Sequence, residues 1–135
     1  MSSLFMLDTN AVSELIRNPS GGVAAKVLTT PQADIVLSSI VASELLFGVE
    51  KRGSARLAAL IDQVFGKFVV LDYDFRAADT YSRVRNSLRL LGTPIGPLDT
   101  LIAAHALSLD ATLVTHNMAE FGRVDGLKIK DWTRP

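Results

Sequence analysis

The sequence predicts an α/β fold, a three-layer α/β/α sandwich around a central, mainly parallel sheet of four to five strands, built as one domain over residues 1–135. Three observations predict it. Short apolar runs, too brief for helices, recur along the chain, and each is followed by a stretch with helical spacing. The first run, Leu4-Phe5-Met6-Leu7, stops abruptly at Asp8-Thr9-Asn10, a set of helix-capping residues. Finally, 48% of the residues are hydrophobic, enough to cover a sheet on both faces.

In chain order, the strand Leu4–Leu7 feeds a helix from Ala11 to Arg17, which Asn18-Pro19-Ser20-Gly21-Gly22 must end. A second helical piece runs from Val23 to Leu28, and Thr29-Thr30-Pro31-Gln32 turns the chain into the strand Asp34–Ser38. Ser38 or Ser39 caps a helix from Ile40 to Lys51, with Gly53 just beyond its end. Arg56 to Phe65 is a further helix, stopped by Gly66, and Phe68–Leu71 is the third strand. Asp74 caps the longest helix, Phe75 to Leu91; Gly92-Thr93-Pro94-Ile95-Gly96 forms a rigid loop, and Pro97 opens a helix to Leu109. Ala111–Thr115 is the fourth strand, His116 to Phe121 a loop or single helical turn, and Leu127–Ile129 a short edge strand.

Composition narrows the chemistry. With no cysteine and two histidines, disulfides and thiolate metal sites are excluded and any metal must be held mainly by oxygen. A formal net charge of 0 confines any basic surface to a local patch. No basic segment precedes a long apolar stretch, and no apolar run approaches the roughly 18 residues of a membrane span. The expectation is a cytoplasmic protein without membrane contact.

In open parallel sheets, ligands bind where strand ends and helix starts leave a crevice. Asp8 and Asn117 follow strands, and Glu44 and Asp99 lie near helix starts, so all four approach one edge of the sheet. Each also has a plain structural explanation. Asp8 is a good helix cap. Glu44 shares a face with Ile40, Val41 and Phe47, which places a carboxylate on the inward side unless the helix is rotated. Asp99 complements the dipole in the first turn of its helix by about 0.3–1 kcal/mol, and Asn117 is an ordinary turn former. Together they read differently. Three converging acids repel one another unless some are protonated or a cation sits between them, and oxygen donors of this kind suit Mg²⁺ or Mn²⁺.

Four blocks carry a resemblance covering nearly the whole chain: Met6-Leu7-Asp8-Thr9-Asn10; Ser39-Ile40 through Glu44-Leu45 and Gly48; Gly92-Thr93-Pro94-Ile95-Gly96-Pro97-Leu98-Asp99 with Ile102-Ala103-Ala104-His105-Ala106; and Leu113-Val114-Thr115-His116-Asn117 with Glu120-Phe121. In these the chain resembles the PIN-domain ribonucleases, and within them the VapC-type toxins of toxin–antitoxin pairs. The resemblance implies a PIN-like fold, with Asp8, Glu44 and Asp99 holding one or two divalent ions and Asn117 standing at a fourth position that is Asp in many members. It implies metal-assisted hydrolysis of RNA phosphodiester bonds by these four residues. Asn117 and Thr115 would orient waters, with Thr9 and Asn10 bracing the Asp8 loop. His105 and His116 are expected in packing and loop roles.

The same resemblance implies transfer RNA as substrate and inhibition of translation as the outcome. It also implies a VapB-like antitoxin inserting an arginine-bearing segment at the acids, a homodimer, and operator DNA reached only through the antitoxin complex. Arg83, Arg85 and Arg89 are candidate RNA phosphate contacts, against the alternative of a solvated helix face. Apolar residues expected to be exposed on the early helices, namely Val12, Leu15, Ile16, Leu45 and Leu46, would take the antitoxin or a second subunit. A haloacid-dehalogenase phosphatase needs a second acid where Asn10 stands, and a receiver domain needs a lysine that Thr115-His116-Asn117 lacks. The competing readings are a PIN-like binding module without catalysis and a housekeeping RNA-processing nuclease.

Overall fold

A computed structural model describes residues 3–134. Its sheet has five strands, β1 (Phe5–Leu7), β2 (Ile35–Ser38), β3 (Val69–Leu71), β4 (Thr112–Val114) and β5 (Lys128–Lys130). They lie in the order β3-β2-β1-β4-β5, and every pair is parallel, with Phe5 opposite Ile35 and Leu7 opposite Val114. Successive strand residues point to opposite faces, so the full burial of both Met6 and Leu7 requires cover on both sides. That cover comes from α1 (Thr9–Arg17), α2 (Gly22–Thr29), α3 (Ser39–Arg52), α4 (Ala55–Lys67), α5 (Phe75–Leu90), α6 (Pro97–Ser108) and the single turn α7 (Met118–Phe121). The α/β/α sandwich expected from the sequence is the observed one, with an entirely parallel sheet. Among the described residues no helix is long and apolar enough to cross a membrane.

The connections place the site. From β1 the chain steps to β2 and then β3 on one side, and after crossing back it continues from β4 to β5 on the other. The direction of winding reverses between β1 and β4, and a crevice opens there because the following segments leave the sheet on opposite sides. Asp8 follows β1 and Thr115 follows β4, so both stand at this reversal. Their segments are tied by the Asp8 amide, which donates to the Val114 carbonyl at 3.1 Å.

Several expectations need correction. Gly66 does not stop the fourth helix, which continues to Lys67 before Phe68 takes an extended conformation. Phe47 is 66% exposed, so Glu44 does not share an inward face with it; α3 turns Val41 and Leu45 to the core instead. Val12 and Leu45 are core residues and cannot serve a docking surface, Leu15 and Ile16 are half-buried, and Leu46 is exposed. The final strand is shifted by one residue and presents Lys128 and Lys130 to solvent, a charged edge that discourages further pairing.

Candidate active site

Asp8 is the N-cap of α1, its Oδ1 accepting from the Ala11 amide at 2.8 Å. Capping therefore explains part of its presence. It does not explain burial to 4% exposure, since a cap works equally well at the surface. Burial raises the Asp8 carboxyl above its usual range, opposed by hydrogen bonds from the Thr115 hydroxyl and the Ala11 amide and reinforced by the Glu44 charge. Thr115 is itself buried, and its Oγ1 accepts from the Asn117 amide at 3.0 Å while its proton goes to Asp8.

Glu44 is half-buried on α3 and is held across 35 positions of sequence by Thr9, whose Oγ1 donates to Glu44 Oε1 at 2.6 Å. Thr9 thus anchors the second acid instead of bracing the Asp8 loop. Asn10 is exposed, and among the described residues its side chain braces nothing by a hydrogen bond.

On α6, Asp99 lies in the first turn after Pro97, where the helix dipole favours a negative charge. Its surroundings overrule that preference. Burial, a hydrogen bond with Glu120, and the charges of Glu120, Asp8 and Glu44 push the Asp99 carboxyl up to about 7. Glu120 moves the opposite way, because its Oε1 accepts from the Gly96 amide at 3.0 Å, Asp99 donates to it, and its Oε2 accepts from Asn117 Nδ2 at 2.7 Å. The two carboxyls share one hydrogen-bonded proton, with Asp99 pushed up and Glu120 held down.

Of the four catalytic candidates, the structure therefore brings Asp8, Glu44 and Asp99 into mutual electrostatic range and joins Asn117 to them through Glu120. Glu120 carried no assignment from the sequence. Its signal was an acid three residues beyond Asn117, on the same turn after β4, where it can reach the Gly92–Gly96 loop. Asn117 does not face the other acids alone; it holds Glu120.

The donor set fits a hard divalent cation. It consists of oxygens only, and Asp99 is raised by burial first and then by the charges of Glu120, Asp8 and Glu44, so a cation would meet carboxylates that are held at a cost. Asp99 is hydrogen-bonded to Glu120, however, and among the described residues no three acids close on a single point. A bound ion would have to part Asp99 from Glu120.

The arginines of α5 sort into two flanks. Tyr81 and Arg85 line a cleft of about 180 Å³ with Pro94, Ile95 and Pro97, beside the loop that leads to Asp99. Arg85 donates to the Tyr81 hydroxyl at 3.0 Å, and Arg89, one turn on, is held by Asn86. Arg83 instead pairs with Asp79 at 2.7 Å and lies by Leu107 and Ser108, at the other end of α6. His105 is buried in packing, and His116 is on the surface after β4.

Residues 5–127 match the PIN domain model. The chain is 38% identical over 130 residues to the tRNA(fMet)-specific endonuclease VapC of Shigella flexneri, covering 96% of this chain and 98% of the relative. It is 35% identical over 133 residues to ribonuclease VapC1 of Haemophilus influenzae strain R2866, covering 97% and 99%. Among solved structures, the DNA-bound VapBC of Salmonella typhimurium superposes with a TM-score of 0.89 at 37% identity, covering 96% of this chain and 98% of the matched one. VapBC2 of Rickettsia felis, bound to a promoter DNA fragment, gives 0.88 at 31% identity with the same coverage.

Proposed function

The chain belongs to the PIN-domain family and, within it, to the VapC group, and from that premise we propose that it is a metal-dependent endoribonuclease acting as the toxin of a toxin–antitoxin pair. The observation that carries this reading is Asp8, buried at the winding reversal of the sheet, with the Glu44 charge near enough to raise it and the charges of Asp8 and Glu44 both near enough to raise Asp99. Such mutual repulsion has a purpose where a cation and a phosphate must be brought together.

Asp8 and Asp99 would hold Mg²⁺ or Mn²⁺, with Glu44 bound directly or through a water. The ion would supply a more acidic water and would screen charge growing on the phosphate. The chain's own residues do the positioning. Thr115 and the Ala11 amide fix the Asp8 carboxylate from two sides. Thr9 occupies Oε1 of Glu44 and leaves Oε2 to accept a proton from the attacking water. Asn117 and the Gly96 amide keep Glu120 ionised beside Asp99.

The substrate in this reading is transfer RNA, as the name of the Shigella flexneri relative states for that protein. Its cleavage would inhibit translation. Arg85 and Arg89, on the flank nearest the Asp99 loop, are the phosphate contacts, and Arg83 contributes less. The partner is a VapB-like antitoxin that brings the complex to operator DNA, in line with the DNA-bound VapBC structures that the chain resembles, and in the same reading the toxin pairs with a second copy of itself. The working place is the cytoplasm, where these RNAs are.

Purified protein incubated with total cellular RNA and Mg²⁺, followed by sequencing of the new RNA ends, tests the reading. Discrete cuts in transfer RNA that vanish with EDTA or in Asp8→Asn support it. A second reading, a PIN-like module that binds RNA or antitoxin without cutting, is favoured by the fact that among the described residues no three acids close on a single point. RNA that is retained by the protein but stays intact across a Mn²⁺ series would select it.

A further inference from the structure

A cavity of about 530 Å³ begins at Thr115 and Asn117, the residues that hold Asp8 and Glu120, and extends to Asp131 and Trp132. Asp131 and Trp132 also line a shallower recess of about 240 Å³, so the two hollows make one path away from the acids. This recess shares no lining residue with the cleft at Arg85. The path is short. Leu7 stands opposite Val114, and Val114 opposite Lys130, so Lys130 lies two strand spacings, about 10 Å, from the strand that ends at Asp8.

Positive charge collects at the end of this path. Lys26 from α2, Lys130 from the end of β5 and Arg134 from the segment after it line the recess, and all three are exposed. Among the described residues neither Lys26 nor Lys130 has an ion-pair partner, and the one acid lining the recess, Asp131, already meets His116 at 3.1 Å and Arg134 at 3.5 Å. Nearer the acids, Arg17 is engaged by Glu14 at 3.0 Å, so the cavity itself adds no positive excess. Two of the cations have local reasons to be there: Lys130 guards an edge strand, and Lys26 complements the dipole in the last turn of α2. Neither reason gathers cations from three separate segments round one recess in a chain whose formal net charge is 0. The occupant they suit is a chain of phosphates. An acidic peptide would need apolar surface for its side chains, but Trp132 is 4% exposed and Phe5 half-buried, whereas phosphates need charge alone.

We infer that the phosphate backbone of RNA bound at the acids leaves along this flank and is held at Lys26, Lys130 and Arg134, an anchor separate from the arginines of α5. The inference rests on the nuclease reading above and adds to it the course of the substrate. These contacts position the RNA and read no sequence.

Labelled transfer RNA is titrated with the full chain in EDTA at salt concentrations between about 50 and 200 mM. The Lys26→Gln, Lys130→Gln double variant should bind about tenfold more weakly at the low end, and its log affinity should fall less steeply with log salt, by about 1–2 in slope for two lost phosphate contacts. Adding Arg134→Gln should flatten the dependence further. Removing two charges elsewhere, with Lys51→Gln and Arg52→Gln at the end of α3, should leave the slope unchanged. In Mg²⁺ the recess variant should raise KM about tenfold at unchanged kcat, because a contact away from the scissile bond holds substrate and transition state alike. Equal losses in the two double variants, unchanged affinity in the recess variant, or a loss confined to kcat overturns the inference. So does a recess variant that keeps its RNA affinity but no longer forms a complex with the co-expressed antitoxin, which would give the surface to that protein. Failure of the nuclease reading looks different: wild type would leave RNA intact in Mg²⁺ whatever the recess variant binds.

Discussion

Two buried polar clusters sit on neighbouring parts of this fold and resolve burial in opposite ways. In the first, His105 is 1% exposed on α6, its Nδ1 is 2.8 Å from Ser38 Oγ, and Ser38 Oγ also accepts from the Ile40 amide at 3.0 Å. Burial pushes His105 below its ordinary value of 6.5, so the ring is neutral, and the Tyr73 ring meets it edge-on with centroids 5.5 Å apart. The Ser38 proton completes the pair, leaving a neutral, satisfied joint between β2 and α6. In the second cluster the titratable groups are all acids, Asp8 buried and Glu44, Asp99 and Glu120 half-buried. Hydrogen bonds from Thr115, Thr9, Gly96 and Asn117 satisfy individual oxygens, yet burial and the neighbouring carboxylates together still push Asp99 up to about 7. The difference teaches where function lies: a core polar pair completes itself, whereas an active site keeps an imbalance for its substrate to complete.

Exchanging one group in each cluster should give opposite phenotypes. Asp8→Asn keeps a good helix cap but removes an anion, so RNA cleavage should fall by about a thousandfold while the melting temperature holds or rises. His105→Ala removes a packed ring and leaves the Ser38 hydroxyl without its acceptor, which should cost about 2–4 kcal/mol in urea unfolding. Its cleavage rate per folded molecule should change little. If His105→Ala loses catalysis with stability intact, the contrast between the clusters is wrong.

The two clusters also bend stability in opposite directions with pH. Unfolded aspartate loses its proton near 3.8 but folded Asp99 near 7, so in metal-free protein this group's contribution is present below about pH 4 and is lost as pH rises through about 7. His105 behaves in reverse. Its folded value lies below 6.5, so its contribution is present above 6.5 and is lost as pH falls toward the folded value. Between pH 4 and 7 the stability of Asp99→Asn should therefore rise more steeply with pH than that of wild type in EDTA, read from urea midpoints at each pH. Parallel curves would remove the shared proton from the account.

How far these clusters could be read from the sequence depended on the range of the interactions that make them. Asp8 was legible because the apolar run before it forces a strand to end there, and Asp74 and Ser38 were legible as caps for the same local reason. Glu44 was legible as an acid on a mostly apolar helix, although the face assigned to it was wrong. Phe47 at i+3 seemed to mark the inward side, but the neighbours that decide rotation come from other elements. Glu120 was not legible as a site residue. It sits in a helix of one turn, and its role depends on the Gly96 amide 24 positions away. Thr9 reaching Glu44 is likewise a contact that only the folded chain defines. Gly66 was misread because α4 packs strongly enough through Ile61 and Val64 to carry a glycine in its last turn.

A smaller effect sharpens the boundary of the active region. Arg85→Ala should lower cleavage about fivefold, the scale of one or two phosphate contacts, whereas Arg83→Ala on the far flank should stay within twofold. Equal losses at both positions would mean that RNA covers the whole outer face of α5.

The claim that the acidic imbalance exists for a cation is tested most directly by following the unfolding free energy at pH 7.5 through a Mn²⁺ titration of wild type and Asp8→Asn. Wild type should gain about 2.7 kcal/mol when Mn²⁺ reaches a hundredfold excess over its dissociation constant, and Asp8→Asn should gain far less at the same concentration. Wild-type stability unchanged across the titration, together with full RNA cleavage in EDTA, would contradict the account.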